Sequence, residues 1–367
     1  MAKQKTKKKQ NIKSKQKKQT HKHMRVNRSK FNQKPIQKTK RKPFKPSLSN
    51  SYSPFMNKYI THENTLTKRT DFHSCKNDEI RVKEYKYTCM SIYSKPAKQQ
   101  MLRLLNRKRI ARKITAPQQK LSNCWFNTMF MCFFISDKGY KFTKMLRQCM
   151  IMGTRMDGSQ ISDSLKHVFL QLNTTIQASM NGVKDDYYLL KDTNQLISSL
   201  AKYYPSTYQV EEVTNVGEYG NPLVAYSVMI QYLLNEKNRN VHLVDVFSDT
   251  FEKLKKGKLP IRQDILAVHL DLDKEHVEKP LEIRDSRNRL WRLDSIVISN
   301  EEHFICFLTI HQKEYGFDGG SYQKLQSFQW KDYINRDRNF NLENKSITNW
   351  SFNFSKGYQI LLYYRIR

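Results

Sequence analysis

Cys124 is the first residue whose type and place can do chemistry. It follows Ser122 and Asn123, good helix-capping types, and leads through Trp125-Phe126-Asn127 into Thr128–Ile135, apolar almost all round as a buried helix is. A helix tip holds a cysteine rigidly and favours its thiolate, which is the nucleophilic form. The plainer reading is a small core residue, as most free cysteines are. His303 stands where a loop enters the strand-like run Phe304–Ile310, and a short His311-Gln312-Lys313 link leads to Glu314–Phe317 and Asp318. Two strands so joined form an antiparallel hairpin, which brings the start of one beside the end of the other. His303 and Asp318 then become neighbours, a base and the carboxylate that orients it. Gln118 or Gln119, just upstream of Cys124, offers a side-chain amide that with the Cys124 backbone N–H would make two oxyanion donors. Either glutamine alone also reads as a polar loop residue.

These groups need a scaffold. Residues 98–114 read as a helix with Met101, Leu105 and Ile110 on an apolar face and Arg103, Arg107 and Arg112 on a basic one, ended by Pro117. Further helical patterns run from Ile161 to Leu172, Tyr187 to Tyr203 and Leu223 to Leu234. From about residue 240 the period changes to two. Val241–Phe247, Asp264–Leu272, Leu290–Ile298, Phe304–Ile310, Glu314–Phe317 and Tyr358–Tyr364 read as strands. A helical half followed by a stranded half indicates an α+β fold. The expected organisation is a disordered basic tail over 1–50, a loosely ordered linker over 51–97, and a domain over 98–367. That domain divides into a helical half, 98–236, and a sheet half, 237–367.

Charge separates the tail from the fold. The chain has 367 residues and a formal net charge of +33, and residues 1–150 carry 39 basic and 6 acidic side chains. Residues 1–50 alone hold 19 Lys/Arg and no Asp or Glu. So few apolar residues cannot offset the entropy of ordering, and like charges extend the segment. It reads as a solubilising tail, an arm for nucleic acid or another polyanion, or a nuclear-import signal at Lys7-Lys8-Lys9 or Lys40-Arg41-Lys42. No apolar run is long enough to span a bilayer, so no membrane partner is expected. The charged start reads as no secretory signal. Free thiols and an intracellular, reducing compartment, cytoplasm or nucleus, are therefore expected for the 6 cysteines. His62, His73, Cys75 and Cys89 lack the paired short spacing of zinc ligands, so neither a metal nor a cofactor is expected.

The run Gln119–Asn127 resembles the cysteine box of the ubiquitin-specific proteases, papain-like deubiquitinases. Trp291–Ile298 followed by His303-Phe304-Ile305 resembles their histidine box, and Tyr315-Gly316-Phe317-Asp318 the segment carrying their third triad member. Gln231–Glu236 is similar to their helix behind the cysteine helix, and Tyr358–Tyr363 to their closing strand. The resemblance covers roughly residues 110–367. It implies a papain-like fold, a helical half bearing the cysteine against an antiparallel sheet bearing His and Asp. Residue by residue it makes Cys124 the nucleophile, His303 the general base and acid, Asp318 the orienting carboxylate, and puts Gln119 at the oxyanion position. It implies ubiquitin or ubiquitin-like conjugates as substrate. Departures are Gln119 for the usual Asn, Ser122-Asn123 for a small residue and Thr, and Glu302 for the Gly before the histidine. The zinc-bearing fingers are absent from the pattern.

Two other readings stand beside this one. A processing protease of another specificity would use the same triad and ignore ubiquitin. An inactive, basic, nucleic-acid-associated structural protein would bind polyanions through residues 1–50 and hydrolyse nothing. A composition rich in Lys, Asn and Ile, with no fingers, is compatible with a compact protease of a large DNA virus and with a virion-associated location.

Overall fold

Capping residues set the helices of the first half. A computed structural model describes residues 72, 75, 78–106, 111–183, 188–208, 220–235, 243–273, 276–300, 303–320, 324–342 and 351–366. The described residues all lie in one compact unit within 50–367. A hairpin of β1 (Glu79–Val82) and β2 (Thr88–Ser91) opens it, followed by α1 (Lys95–Leu104) with Ser94 as its cap and Pro96 in its first turn. Then come α2 (Cys124–Phe130), running on as a π turn over Met131–Ile135, and α3 (Asp137–Met152), capped by Ser136 and closed by Gly153 at φ 72°. α4 (Asp163–Asn181), α5 (Tyr188–Lys191), α6 (Asn194–Tyr203) and α7 (Pro222–Leu234) complete the helical half. Asn221 caps α7, its Oδ1 accepting from the N–H groups of Leu223 and Val224.

The second half is a sheet. Its strands are β3 (Leu243–Phe247), β4 (Ile265–Asp271), β5 (Glu282–Arg284), β6 (Leu290–Ser299), β7 (Phe304–Ile310), β8 (Lys313–Phe317), β9 (Gln326–Ser327) and β12 (Tyr358–Arg365). The order is β3-β4-β12-β6-β7-β8-β9, with β5 paired to β6; β3 and β4 run parallel and the other pairs antiparallel. A separate small pair, β10 (Asn339–Phe340) and β11 (Phe352–Asn353), and α8 (Ser248–Lys255) lie outside that sheet.

Both faces of the sheet are covered. Val297, Cys306, Leu308, Phe317, Ile360 and Leu362 join the helices in the larger core, while Ile296, Ile298, Ile305, Phe307 and Leu361 pack in a second core with Phe251 of α8 and Phe352 and Phe354. Strict alternation is therefore replaced by nearly continuous apolar strands. Each buried Ile, Leu or Phe contributes roughly 1.5–3 kcal/mol relative to an exposed one. The fold is thus α+β: helices first, then a mainly antiparallel sheet packed against them.

Several elements depart from the sequence reading. The helix expected over 98–114 begins at Lys95 and ends at Leu104, because Ser94 and Pro96 start it earlier; residues 111–113 form a separate turn. Of the segment expected to be loosely ordered, residues 79–97 form the hairpin and the start of α1, with Ile80, Val82, Ile92 and Ala97 inside the larger core. Free thiols were expected throughout, but Cys75 and Cys89 are joined as a disulfide; Cys124, Cys132, Cys149 and Cys306 are free. The pairing arises because Cys75 N–H donates to Glu79 O while Cys89 pairs across the hairpin with Arg81. The Glu79 carboxylate lies with both sulfurs in a group spanning 4.8 Å. His62, His73 and the whole 1–50 tail lie outside the described residues. No helix among the described residues is long and apolar enough to cross a membrane.

One buried carboxylate ties the two halves together. Asp294 on β6 accepts from the N–H groups of Lys138 (2.9 Å) and Gly139 (3.4 Å) at the start of α3. Burial pushes its pKa up to about 6, against the lowering effect of Ser136 and with a further push from Asp137. The folded protein therefore holds a proton that the unfolded chain releases near pH 4. The stabilisation is full below that pH and is lost as pH rises through about 6, a change of about 3 kcal/mol. Asp294→Asn is expected to remove it. Urea midpoints of wild type and variant at acid and neutral pH check this: the variant should gain relative stability on going to neutral pH, and a constant difference would refute it.

Candidate active site

The β7–β8 hairpin brings two of the candidate residues together. Ile310 pairs with Lys313 and Cys306 with Phe317, so the turn is His311-Gln312 alone, with both residues at positive φ as a turn matched to strand twist requires. Asp137 at the head of α3 grips that turn, its carboxylate accepting from the N–H groups of His311 and Gln312. Continued beyond the strands, the register sets His303 opposite Gly320, and Asp318 on the diagonal. His303 Nε2 lies 2.6 Å from Asp318 Oδ1, and the same oxygen accepts from Gly320 N–H at 2.9 Å. At its other end His303 is pinned by Asn300, whose Oδ1 accepts from the His303 N–H at 3.0 Å.

The third residue arrives on α2. Cys124 opens that helix, which packs between β7 and α7, with Tyr226 Oη donating to Phe126 O. The thiol is hydrogen-bonded to His303, and because Nε2 is committed to Asp318, Nδ1 is the ring nitrogen left for sulfur. Cys124, His303 and Asp318 are 1%, 2% and 4% exposed, so this charge-bearing chain lies in a dry environment where its interactions are strong. Burial alone would lower the His303 pKa; the hydrogen bonds and charges of Asp318 and Cys124 outweigh it and raise it to about 9. At neutral pH the imidazole is held as a cation between a carboxylate and a sulfur.

The loop before Cys124 is fixed by a buried amide network. Asn123 occupies the capping position, but its side chain does not cap: its Oδ1 accepts from Lys120 N–H and its Nδ2 donates to Thr193 Oγ1 at 2.9 Å. Thr193 donates to Asn127 Oδ1 at 2.7 Å, Asn127 Nδ2 reaches Gln118 O, and Asn194 Nδ2 reaches Lys120 O. This network holds Leu121 at φ 55° with its side chain 77% exposed. It also leaves the N–H of Cys124, as the first residue of its helix, with no carbonyl one turn earlier to meet.

The two glutamines separate. Gln118 is exposed, and its N–H donates to Leu190 O. Gln119 is tied to the turn after Asp318 through its N–H to Gly319 O at 3.0 Å. A methyl group on Gly320 would stand 3.4 Å from both Gln119 Oε1 and Asp318 Oδ1 and 3.7 Å from His303 Cε1. Gln119 Oε1 is buried with no partner among the described residues, and its Nε2 makes only a 3.4 Å contact to Leu121 O. Glu302, beside His303, lies outside the described residues.

Sequence reasoning passed over Gly320, Asn300 and Thr193, and named Asn127 only as part of the cysteine box. The Gly319-Gly320 pair directly after Asp318 was a readable signal for close backbone approach. Thr193 carried none, because its partners are 66 and 70 residues away in the chain.

No family model and no curated protein match the chain. Among solved structures it is similar to the SAGA Ubp8/Sgf11/Sus1/Sgf73 DUB module bound to monoubiquitin, at TM-score 0.44 and 10% identity over 70% of this chain and 71% of that one. The same module bound to ubiquitin aldehyde gives TM-score 0.44 and 11% identity over 70% and 71%. The yeast module with a mutant Sgf73 gives TM-score 0.33 and 11% identity over 70% and 68%. The chemistry of the site is read from its own geometry.

Proposed function

We propose that this chain is a papain-like thiol hydrolase that cleaves the C-terminal (iso)peptide bond of ubiquitin or a ubiquitin-like protein. The observation that carries the reaction is His303, bonded through one nitrogen to Asp318 at 2.6 Å and through the other side to the Cys124 thiol. The substrate class rests on the resemblance of the three sequence boxes.

In this reading Cys124 acts as the thiolate, its proton resting on His303, and is stabilised by the imidazolium and the first turn of α2. Sulfur attacks the substrate carbonyl carbon, a C–S bond forms, and the carbonyl π electrons move onto oxygen. The Cys124 N–H and the Gln119 amide receive that oxyanion in this reading. An amide's oxygen and nitrogen exchange places by a half-turn, so the buried position of the unpaired Gln119 Oε1 is one a donor can fill. His303 then protonates the leaving nitrogen as the C–N bond breaks. Neutral His303 next takes a proton from water, which attacks the thioester; the C–S bond breaks and the thiolate returns. Asp318, doubly bonded to His303 and Gly320, keeps the ring aligned through both halves. The 1–50 tail, with its excess of cations, serves in this reading as a polyanion-binding arm.

The test is a ubiquitin bearing a thiol-reactive group at its C-terminus, incubated with wild type, Cys124→Ala and His303→Ala and read by intact mass. A single adduct on wild type and none on Cys124→Ala is expected. A folded wild type that forms no adduct would overturn the ubiquitin reading, and selective labelling of Cys124 by a generic thiol reagent would then leave a protease of other specificity.

A further inference from the structure

The tip of the β1–β2 hairpin is built to be seen. Residues 83–89, Lys-Glu-Tyr-Lys-Tyr-Thr-Cys, are exposed without a break. Tyr85 and Tyr87 are 49% and 45% exposed, and Arg81, Lys83 and Lys86 are exposed around them. Among the described residues none of these three cations has an acidic partner, whereas the neighbouring acid, Glu84, is paired with Arg103. Two large aromatic side chains thus lie about half exposed beside these cations.

The tip is also rigid. Gln100 on α1 pins it from behind, its Oε1 accepting from Lys83 N–H at 2.8 Å and its Nε2 donating to Arg81 O at 2.5 Å. Tyr87 N–H reaches Val82 O, Thr88 Oγ1 reaches Tyr85 O, and the Cys75–Cys89 disulfide clamps the base. Lys86 and Tyr87 adopt φ 53° and 62°, a backbone that favours glycine or asparagine. Strain of this kind persists where the side chains displayed have a use.

We infer that this tip is a binding surface for single-stranded nucleic acid. Stacking of bases on aromatic side chains, with lysines following the backbone, is the common means of sequence-tolerant single-strand binding. Tyrosine and lysine alternate here at Tyr85, Lys86 and Tyr87, with Lys83 and Arg81 beside them. An acidic protein would satisfy the lysines but leave the two ring faces without a planar partner. The 19 cations and absent acids of residues 1–50 lie upstream in the same chain and add polyanion affinity without selectivity. The inference is independent of the hydrolase reading: the tip would bring whatever chemistry the chain performs to a nucleic acid.

The test uses the full chain and fluorescein-labelled oligo(dT), oligo(U) and a duplex of equal length, with anisotropy read across a salt series. Raised salt suppresses the contribution of the tail. Tyr85→Ala/Tyr87→Ala is expected to weaken single-strand binding about tenfold or more at high salt while leaving the salt slope unchanged. Tyr85→Phe/Tyr87→Phe should bind as wild type, because the ring and not the hydroxyl stacks. Lys83→Gln/Lys86→Gln should lower the salt slope by about one to two. Ultraviolet crosslinking should put the nucleotide adduct on the peptide containing Tyr85 or Tyr87. Alanine variants that match wild type at every salt, or equal affinity for duplex, would overturn the inference and leave binding to the tail. Displacement by polyglutamate as effective as by unlabelled oligonucleotide would overturn it in favour of an acidic protein.

Discussion

Asp318→Asn is expected to lower kcat/KM at neutral pH by about 10²- to 10⁴-fold while the protein stays folded. The amide keeps an oxygen for the Gly320 N–H, so the turn survives, but the charge that holds His303 protonated is gone. Burial lowers the imidazole pKa, and only the hydrogen bonds and charges of Asp318 and Cys124 lift it to about 9. Remove Asp318 and burial regains ground. The pH profile then distinguishes this from a structural lesion. In wild type the alkaline limb, where His303 loses its proton and the ion pair with sulfur is lost, should fall near pH 9. In Asp318→Asn it should move to lower pH by a unit or more. The same group makes a signed claim about stability. A histidine raised from 6.5 to about 9 contributes stabilisation that is full below pH 6.5 and lost as pH rises through 9. An alkaline limb that stays at pH 9 in the variant would assign it to another group.

What could be read from the sequence follows distance along the chain. The hairpin between His303 and Asp318 was legible because two strands joined by so short a link must pair antiparallel; its register was not, since the sequence reads the link as His311-Gln312-Lys313 whereas Lys313 already pairs with Ile310. The strand from Leu290 to Ser299 was legible although both its faces are buried, because β-branched and apolar residues crowd it. α3 was passed over. Its first turn, Asp137-Lys138-Gly139, is polar and carries a glycine, and the reasons it begins there are distant: Asp294 across the sheet interface, and a backbone approach so close that a Cβ on Gly139 would meet Cys132 O at 2.2 Å. The ordered hairpin at 79–91 was hidden for a like reason. Its two inward residues, Ile80 and Val82, are buried by the helical core, and the tip between its strands is all polar or aromatic. The loop before Cys124 shows the limit best. Ser122 and Asn123 suggested a helix start, and a helix does start there, yet Asn123 spends its side chain on Thr193 and Lys120. Local propensity located the element, and a contact 70 residues away decided what the side chain does.

Gln119 offers the second large effect, and its geometry makes the expected result specific. Gln119→Ala should lower kcat by about 10²- to 10³-fold with KM little changed, the mark of a donor that acts on the transition state alone. The substitution leaves the backbone bond from residue 119 to Gly319 O in place, so the turn carrying Asp318 keeps its anchor. It also removes a buried oxygen with no partner among the described residues, so the variant should be at least as stable as wild type. Lower turnover with equal or higher stability is what a group maintained for chemistry and not for folding produces. Gln118→Ala is the control one residue away: its side chain is exposed, and its effect on turnover should be within about 0.5 kcal/mol of nothing. Steady-state kinetics and thermal unfolding on both variants decide the matter. If Gln119→Ala raises KM and leaves kcat intact, the amide holds substrate in the ground state, and the Cys124 N–H at the head of α2 meets the oxyanion without it.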